Sequence, residues 1–355
     1  MIDLLIFSPG FYRGGAQRVT IDIANIFAKK GKKVHIIVLN LKKGFGHELN
    51  SKVKVVNLNC KQAIFSIKKL SNYLVKTNPK VFFSTQPHCT AVSWIAAKIC
   101  SWKGKFIARE TNTKKKIEGR KILFKDKLIW LILSYIYLKI DCVIAPSKGL
   151  AQEINGNTKI LYNLTEIEKI KKNSKKKLPK FFNSKKKFIL GVGRFVDQKR
   201  FFDLINAFSK IAHKNNLNLV LLGEGELHEE LKNLSRFLKL EKRIFFPGFD
   251  NNPFKYMAKC EIFVLSSTWE GMPNVLIQAL ICGSKIISTN CPHGPKEILN
   301  HGKYGSLVEV GNINALSQTI KKNLYKPKPK VPKKFLNQFS IVKQYKKLHS
   351  IFFED

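Results

Sequence analysis

Short apolar runs separated by stretches of helical period dominate the chain. The first run, Ile2 to Phe7, feeds a glycine-containing loop, Ser8 to Gly15, and then a segment from Ala16 to Lys30 in which Val19, Ile23, Ile26 and Phe27 share one helical face. Further runs follow at Val34 to Leu39, Val53 to Leu58, Val81 to Ser84, Phe106 to Arg109, Cys142 to Ala145 and Lys159 to Tyr162, most of them with helical patterns between. Strands apolar at successive positions are buried on both faces, so this alternation predicts a parallel sheet covered by helices on either side. Ser147 is placed to cap a helix reaching Ile154.

The pattern lapses from Thr165 to Lys187, where Lys, Asn and Pro occur without sustained periodicity and an exposed linker is expected. It resumes with strands at Phe188 to Val192, Leu217 to Leu222, Arg243 to Phe246, Ile262 to Leu265, Lys285 to Ser288 and Ser306 to Val308. The proline-broken stretch Lys326 to Lys334 predicts a connector that cannot be helix. Beyond it, Phe339 to Phe353 carries Ile341, Val342, Tyr345 and Leu348 at helical spacing. The expected boundaries are therefore 1–163 for a first α/β domain, 164–187 for the linker, 188–336 for a second α/β domain and 337–355 for a final helix. A chain of 355 residues with 44% hydrophobic content can bury two ordinary cores.

Charge changes the picture most. The formal net charge is +40, and the excess is lysine, a diffuse point-charge field that favours polyanions. An anionic membrane and nucleic acid are the two partners such a surface suits, and a lysine-rich composition without a partner is the plain alternative. The chain has no zinc knuckle, helix-turn-helix pattern or aromatic RNA-binding signature, so nucleic acid is not expected. Lys114, Lys115, Lys116, Arg120, Lys121, Lys125 and Lys127 precede the apolar run Leu128 to Leu138 with Trp130, Tyr135 and Tyr137, a combination that predicts an interfacial membrane helix. The same run also fits an ordinary buried helix. No apolar run reaches the ~18 residues of a membrane span. Met1 to Gly10 reads as a strand and not as a signal peptide, so a cytoplasmic protein, peripheral on the inner face of the membrane, is expected. The seven scattered cysteines predict reduced core thiols and no zinc site.

The candidate chemistry centres on Ser266 to Gly283. The strand Ile262 to Leu265 leads through Ser266, Ser267 and Thr268 into a helix with Val275, Leu276, Ala279 and Leu280 on its apolar face. Pro273 suits the first helical turn and Gly283 the stop. Free backbone N–H groups from Gly271 to Asn274 would then point at the loop mouth, where Glu270 stands and the helix dipole favours an anion. Gln278 lies eight residues after Glu270, about two turns at ~3.6 residues per turn, and faces the same side.

Glu270-Gly271-x-Pro273 with an acid or amide eight residues on resembles the donor-sugar motif of retaining glycosyltransferase family four, whose members are nucleotide-sugar-dependent enzymes of GT-B fold. The resemblance implies two Rossmann-like parallel-sheet domains facing a central cleft, the first binding acceptor and the second the nucleotide-sugar donor, with the final helix crossing back to the first. Glu270 and the backbone of Gly271, Met272, Pro273 and Asn274 would hold the sugar, and Gln278, where the family has Glu, the ribose. Gly193-Arg194 and Lys199 match the family's cations for the donor diphosphate, which stabilise a departing nucleoside diphosphate more in the transition state than in the ground state. Gly14 and Gly15 match its phosphate-lining glycines, and Gly248 and Phe249 its base-binding loop. Glu110 matches a residue facing the transferred sugar, although Thr111 stands where the family often has His or Arg. His293 is isolated and fits a surface loop. No D-x-D occurs, so no metal or other cofactor is expected.

Together these features point to a glycosyltransferase moving a hexose or N-acetylhexosamine from a nucleotide-diphosphate sugar, UDP favoured, to a lipid-linked or cell-surface glycan acceptor, as in polysaccharide or lipopolysaccharide biosynthesis. The alternative is a catalytically weak GT-B protein that binds polyanions or membranes. The oligomeric state is not legible.

Overall fold

The structure, a computed structural model, describes residues 1–12, 14–41, 45–111, 124–179, 187–212 and 216–354, except the side chains of 45 and 124–128. Of the lysine-rich cluster, Lys114 to Lys121 lie outside the described residues, as do the side chains of Lys125 and Lys127.

Two compact units divide the chain, the first formed by Met1–Leu164 with Ile341–Asp355 and the second by Thr165–Ser340. In the first unit β1 (Leu4–Ser8), α1 (Gly15–Lys29), β2 (Val34–Val38), β3 (Lys54–Asn57), α2 (Ile67–Thr77) and β4 (Val81–Ser84) come in turn. They are followed by α3 (Pro87–Ile99), β5 (Lys105–Arg109), α4 (Phe124–Tyr137), β6 (Cys142–Ala145), α5 (Lys148–Gln152) and β7 (Thr158–Ile160). The strands form one parallel seven-stranded sheet in the order β3-β2-β1-β4-β5-β6-β7. Strand side chains alternate between the faces. Leu5, Phe7 and Phe82 therefore pack with Leu70 of α2 and Leu133 of α4, while Leu4, Ile6 and Phe83 pack with Phe27 of α1.

The second unit opens with α6 (Ile167–Ser174) and continues β8 (Lys187–Val192), α7 (Phe201–Ala212), β9 (Leu217–Leu222), α8 (His228–Phe237), β10 (Ile244–Gly248) and α9 (Phe254–Lys259). Then come β11 (Ile262–Leu265), α10 (Asn274–Ile281), β12 (Ile286–Thr289), α11 (Pro295–Ile298), β13 (Ser306–Val308), α12 (Ile313–Leu324) and α13 (Lys333–Leu336). Its parallel sheet runs β10-β9-β8-β11-β12-β13. The last helix, α14 (Ile341–Phe353), belongs to the first unit, where Phe352 stacks on Phe27 at 5.3 Å between ring centroids and Leu348 is fully buried. All seven cysteines are free thiols, five of them buried.

Two expected irregular segments are partly helical. The stretch read as linker contains α6, which buries Ile167 and Ile170 and packs against α9. Two apolar residues at i, i+3 are too few to register as a periodic pattern, yet they anchor a two-turn helix. In Lys326 to Lys334 the last two lysines begin α13, because Pro332 sits at its cap, where the missing N–H costs nothing.

In each sheet the strand order reverses once, between β1 and β4 in the first unit and between β8 and β11 in the second. Ligands of doubly wound sheets bind outside the carboxyl ends of the strands at such a switch point. In the second unit the residues following β8 and β11 are Gly193 to Lys199 and Ser266 to Pro273.

Candidate functional site

The loops after β8 and β11 are laced together by backbone and side-chain hydrogen bonds. Thr268 N donates to Gln198 O at 2.9 Å, Gln198 Nε2 to Trp269 O at 2.8 Å, and Ser266 Oγ to Lys199 O at 2.7 Å. A Cβ on Gly193 would lie 3.1–3.3 Å from the side-chain carbons of Lys199, so glycine there leaves Lys199 room to run along the strand end. Lys199 Nζ thereby reaches Glu270 Oε1 at 2.6 Å, and Ser267 Oγ donates to the same oxygen at 2.7 Å. The pair is largely removed from water, with side-chain exposures of 14% and 9%. Charges in such surroundings are weakly screened, and fixed dipoles act on them at short range. Glu270 Oε2 accepts no hydrogen bond among the described residues, which leaves it for a ligand hydroxyl. Arg194 is exposed, with no ion pair among the described residues.

Pro273 is the cap of α10 and not its first helical residue, with φ −70° and ψ 105°. The N–H groups of Gly271 and Met272 therefore belong to the loop and not to a first turn. The next loop braces this one. Gly294 has φ +74°, and a Cβ there would stand 2.6 Å from Pro273 Cδ and 2.9 Å from the Gly271 carbonyl, so only glycine fits the backbone and the space. Glu270 N donates to Pro292 O at 3.5 Å and Thr289 Oγ1 to Ser267 O at 2.6 Å. Burial, with Glu270 adding to it, pushes the Cys291 thiol up to about 12. His293 is half-buried in this loop with φ +61°. Met272 and Pro273 are buried, Gly271 and Asn274 half-buried, and the half-buried Gln278 makes no side-chain hydrogen bond among the described residues. Gly248, with φ +81°, ends β10 and accepts from Gly223 N at 3.0 Å, while Phe249 beside it is half-buried. Lys199 and Glu270 are thus brought together at one switch point, with Gly271 to Asn274 following Glu270 and Arg194 on the loop that carries Lys199.

In the first unit Gly14 caps α1 without a side-chain bond, and no acid occupies the first turn. Its φ of −168° is open to any residue, and only the flexible end of Gln17 would crowd a Cβ there. Gly15, the first residue of α1, is exposed. Glu110, read as facing the transferred sugar, follows the end of β5. It is fully buried, with Oε2 accepting from Tyr137 Oη at 2.6 Å and Oε1 from Thr111 N at 2.7 Å. Burial, reinforced by Glu110, raises the Tyr137 phenol well above its ordinary value. Beside it Arg109, held down to about 10 by burial with Glu110 pulling the other way, donates to Asn163 Oδ1 at 2.6 Å. The sequence reading missed Ser267, Gln198, Tyr137 and Asn163. The run Ser266-Ser267-Thr268 was a signal for the first, and nothing local marks the others. Among the described residues no three His, Cys, Asp or Glu side chains are grouped to hold a metal.

Residues 171–338 match the family described as Glycosyl transferases group 1, and residues 13–160 match Glycosyltransferase Family 4. Over 370 aligned residues, covering 96% of this chain and 97% of the relative, the chain is 31% identical to the N-acetylgalactosamine-N,N'-diacetylbacillosaminyl-diphospho-undecaprenol 4-alpha-N-acetylgalactosaminyltransferase of Campylobacter jejuni. Among solved structures it is similar to HepE of Anabaena in complex with UDP, with a TM-score of 0.78 at 18% identity over 98% of this chain and 99% of that one. The sucrose-phosphate synthase of Thermosynechococcus elongatus aligns with a TM-score of 0.80 at 16% identity, over 99% and 98% of the two chains. The shared architecture is the GT-B fold, two Rossmann-like parallel-sheet domains.

Proposed function

Since the chain belongs to the family-four glycosyltransferases and carries their GT-B fold, we propose that it transfers a hexose or N-acetylhexosamine from a UDP-sugar to a lipid-linked glycan acceptor at the membrane surface, with retention of anomeric configuration. The observation that carries this reading is the Lys199–Glu270 pair at 2.6 Å, fixed at the switch point of the second sheet, with Arg194 five residues earlier on the same loop. The full-length similarity to an enzyme acting on a diphospho-undecaprenol-linked sugar favours the acceptor class, and the likeness to a UDP complex is compatible with the donor.

In this reading the acceptor hydroxyl attacks the anomeric carbon on the face from which the diphosphate departs, and the leaving phosphate oxygen takes the acceptor proton. Negative charge accumulating on the diphosphate is met by Arg194 and Lys199, without a metal. Lys199, held by Glu270 in surroundings largely removed from water, does not reorganise as the charge develops, and the exposed Arg194 adds a second positive charge from the same loop. Glu270, its Oε1 occupied by Lys199 and Ser267, offers Oε2 to the sugar. Gln278 accepts from one ribose hydroxyl and donates to the other. Gly248 and Phe249 receive the base, and Gly14 and Gly15 the approach of acceptor and phosphates. Incubating the full chain with a panel of nucleotide sugars and following slow donor hydrolysis tests the proposal. One UDP-sugar turned over in preference to the rest supports it, and none turned over refutes it.

A further inference from the structure

An apolar helix whose outer face remains exposed needs a second environment to cover it. In α4 the inward residues Leu133, Ile136 and Tyr137 are buried in the core of the first unit. The outward side is nevertheless apolar too, with Leu131 70%, Tyr135 54% and Leu138 62% exposed at helical spacing and Ile132 beside them. Neighbouring α3 adds Ile95 and Ile99, the latter 65% exposed, also one turn apart. The two helices pack against each other, and Trp94 of α3 meets Tyr135 of α4 edge-on at 6.0 Å, so the exposed side chains form one continuous patch. Its aromatic centre carries cations. Lys98 Nζ stands 5.8 Å from the Trp94 ring centroid and Lys139 Nζ 5.8 Å from that of Tyr135.

We infer that the α3–α4 face of the first unit enters the headgroup and upper acyl region of an anionic phospholipid bilayer. This deepens, and rests on, the membrane-surface reading above. Aromatic rings with a wet edge favour the interfacial zone, and lysine stems lie along apolar surface while their ammonium groups stay at headgroup level. Tyr135, 54% exposed with Lys139 over its ring, has that form, while Lys98 lies over the inner Trp94, whose indole N–H is buried. The net charge of +40 selects an anionic lipid surface over an acid-free protein partner. The contact is carried by the outward residues, because Trp130, expected to anchor it, is half-buried.

The test is flotation with vesicles of phosphatidylcholine alone and of phosphatidylcholine with phosphatidylglycerol, comparing the full chain with a Leu131→Gln, Tyr135→Gln, Leu138→Gln variant. All three positions are exposed and none is a residue of the proposed site, so far-ultraviolet circular dichroism and turnover of a soluble UDP-sugar serve as controls for folding. The expected result is that the parent floats with phosphatidylglycerol vesicles and the variant partitions at least about a hundredfold more weakly, roughly fivefold for each of the three side chains withdrawn from apolar surroundings. Equal flotation of the folded variant overturns the inference. So does a parent that ignores both vesicles and instead self-associates in gel filtration through this face. If neither protein turns over any sugar while flotation still separates them, the catalytic reading fails and the docking face stands.

Discussion

Glu270 ties one buried carboxylate oxygen to both Lys199 and Ser267, and this arrangement separates binding chemistry from folding in a measurable way. Replacing either cation, Arg194→Ala or Lys199→Ala, lowers turnover by at least ~100-fold, the scale of losing one preorganised group that meets developing charge. Their effects on stability differ. Lys199→Ala leaves the Glu270 carboxylate buried without its cation and destabilises by about 3 kcal/mol. Arg194→Ala removes an exposed side chain with no ion pair among the described residues and changes stability by less than about 0.5 kcal/mol. Steady-state kinetics with urea unfolding of both variants checks this. Gln278→Glu tightens UDP binding or leaves it unchanged, since a carboxylate of similar size accepts from both ribose hydroxyls. Calorimetry decides, and a large loss of affinity would assign Gln278 to the base or a phosphate. Lys199 and Glu270 were singled out by the motifs that resemble the family's, and the structure pairs them at 2.6 Å. The burial of Glu110 was not legible, since nothing in its neighbourhood reveals that Tyr137, 27 residues away, closes over it.

Strands were the most legible elements, because a parallel sheet buried on both faces writes itself as uninterrupted apolar runs. Their ends shifted by a residue or two, as with Ile244–Gly248, which runs on through Pro247 to Gly248. Short helices were the least legible. The helix α6 rests on Ile167 and Ile170 alone, and α10 starts one residue late because the loop carrying Glu270 is set by contacts from β12 and α11 and not by helix propensity. That loop bracing makes Gly294→Ala costly. A methyl at φ +74°, pressed on Pro273 and the Gly271 carbonyl, displaces the Glu270 loop. We expect a loss of about 1–3 kcal/mol in thermal or urea unfolding, with a raised KM for the nucleotide sugar. An unaltered KM would show that the loop does not position the donor.

The whole molecule consists of two parallel-sheet units, with α14 packed into the core of the first. Its charge of +40 is far beyond what the ion pairs of the proposed site use. If the lysines before α4 serve a bilayer, neutralising Lys114, Lys115, Lys116 and Lys121 together weakens flotation with anionic vesicles at low salt, each lysine contributing roughly 1 kcal/mol near the surface. Hydrolysis of a soluble donor stays intact. Flotation equal to the parent's would leave that cluster a solvated face. The claim that this chain is a working transferase and not only a membrane-binding relic of the fold rests on one measurement above others. The full chain and its Arg194→Ala variant are each incubated with the preferred UDP-sugar and a lipid-diphosphate glycan acceptor, and the product is resolved by mass and by the coupling constant of its anomeric proton. The account predicts a single added sugar with the donor's anomeric configuration, formed at least ~100-fold more slowly by the variant. Firm binding to anionic vesicles with no sugar transferred, or equal rates for the two proteins, would contradict it.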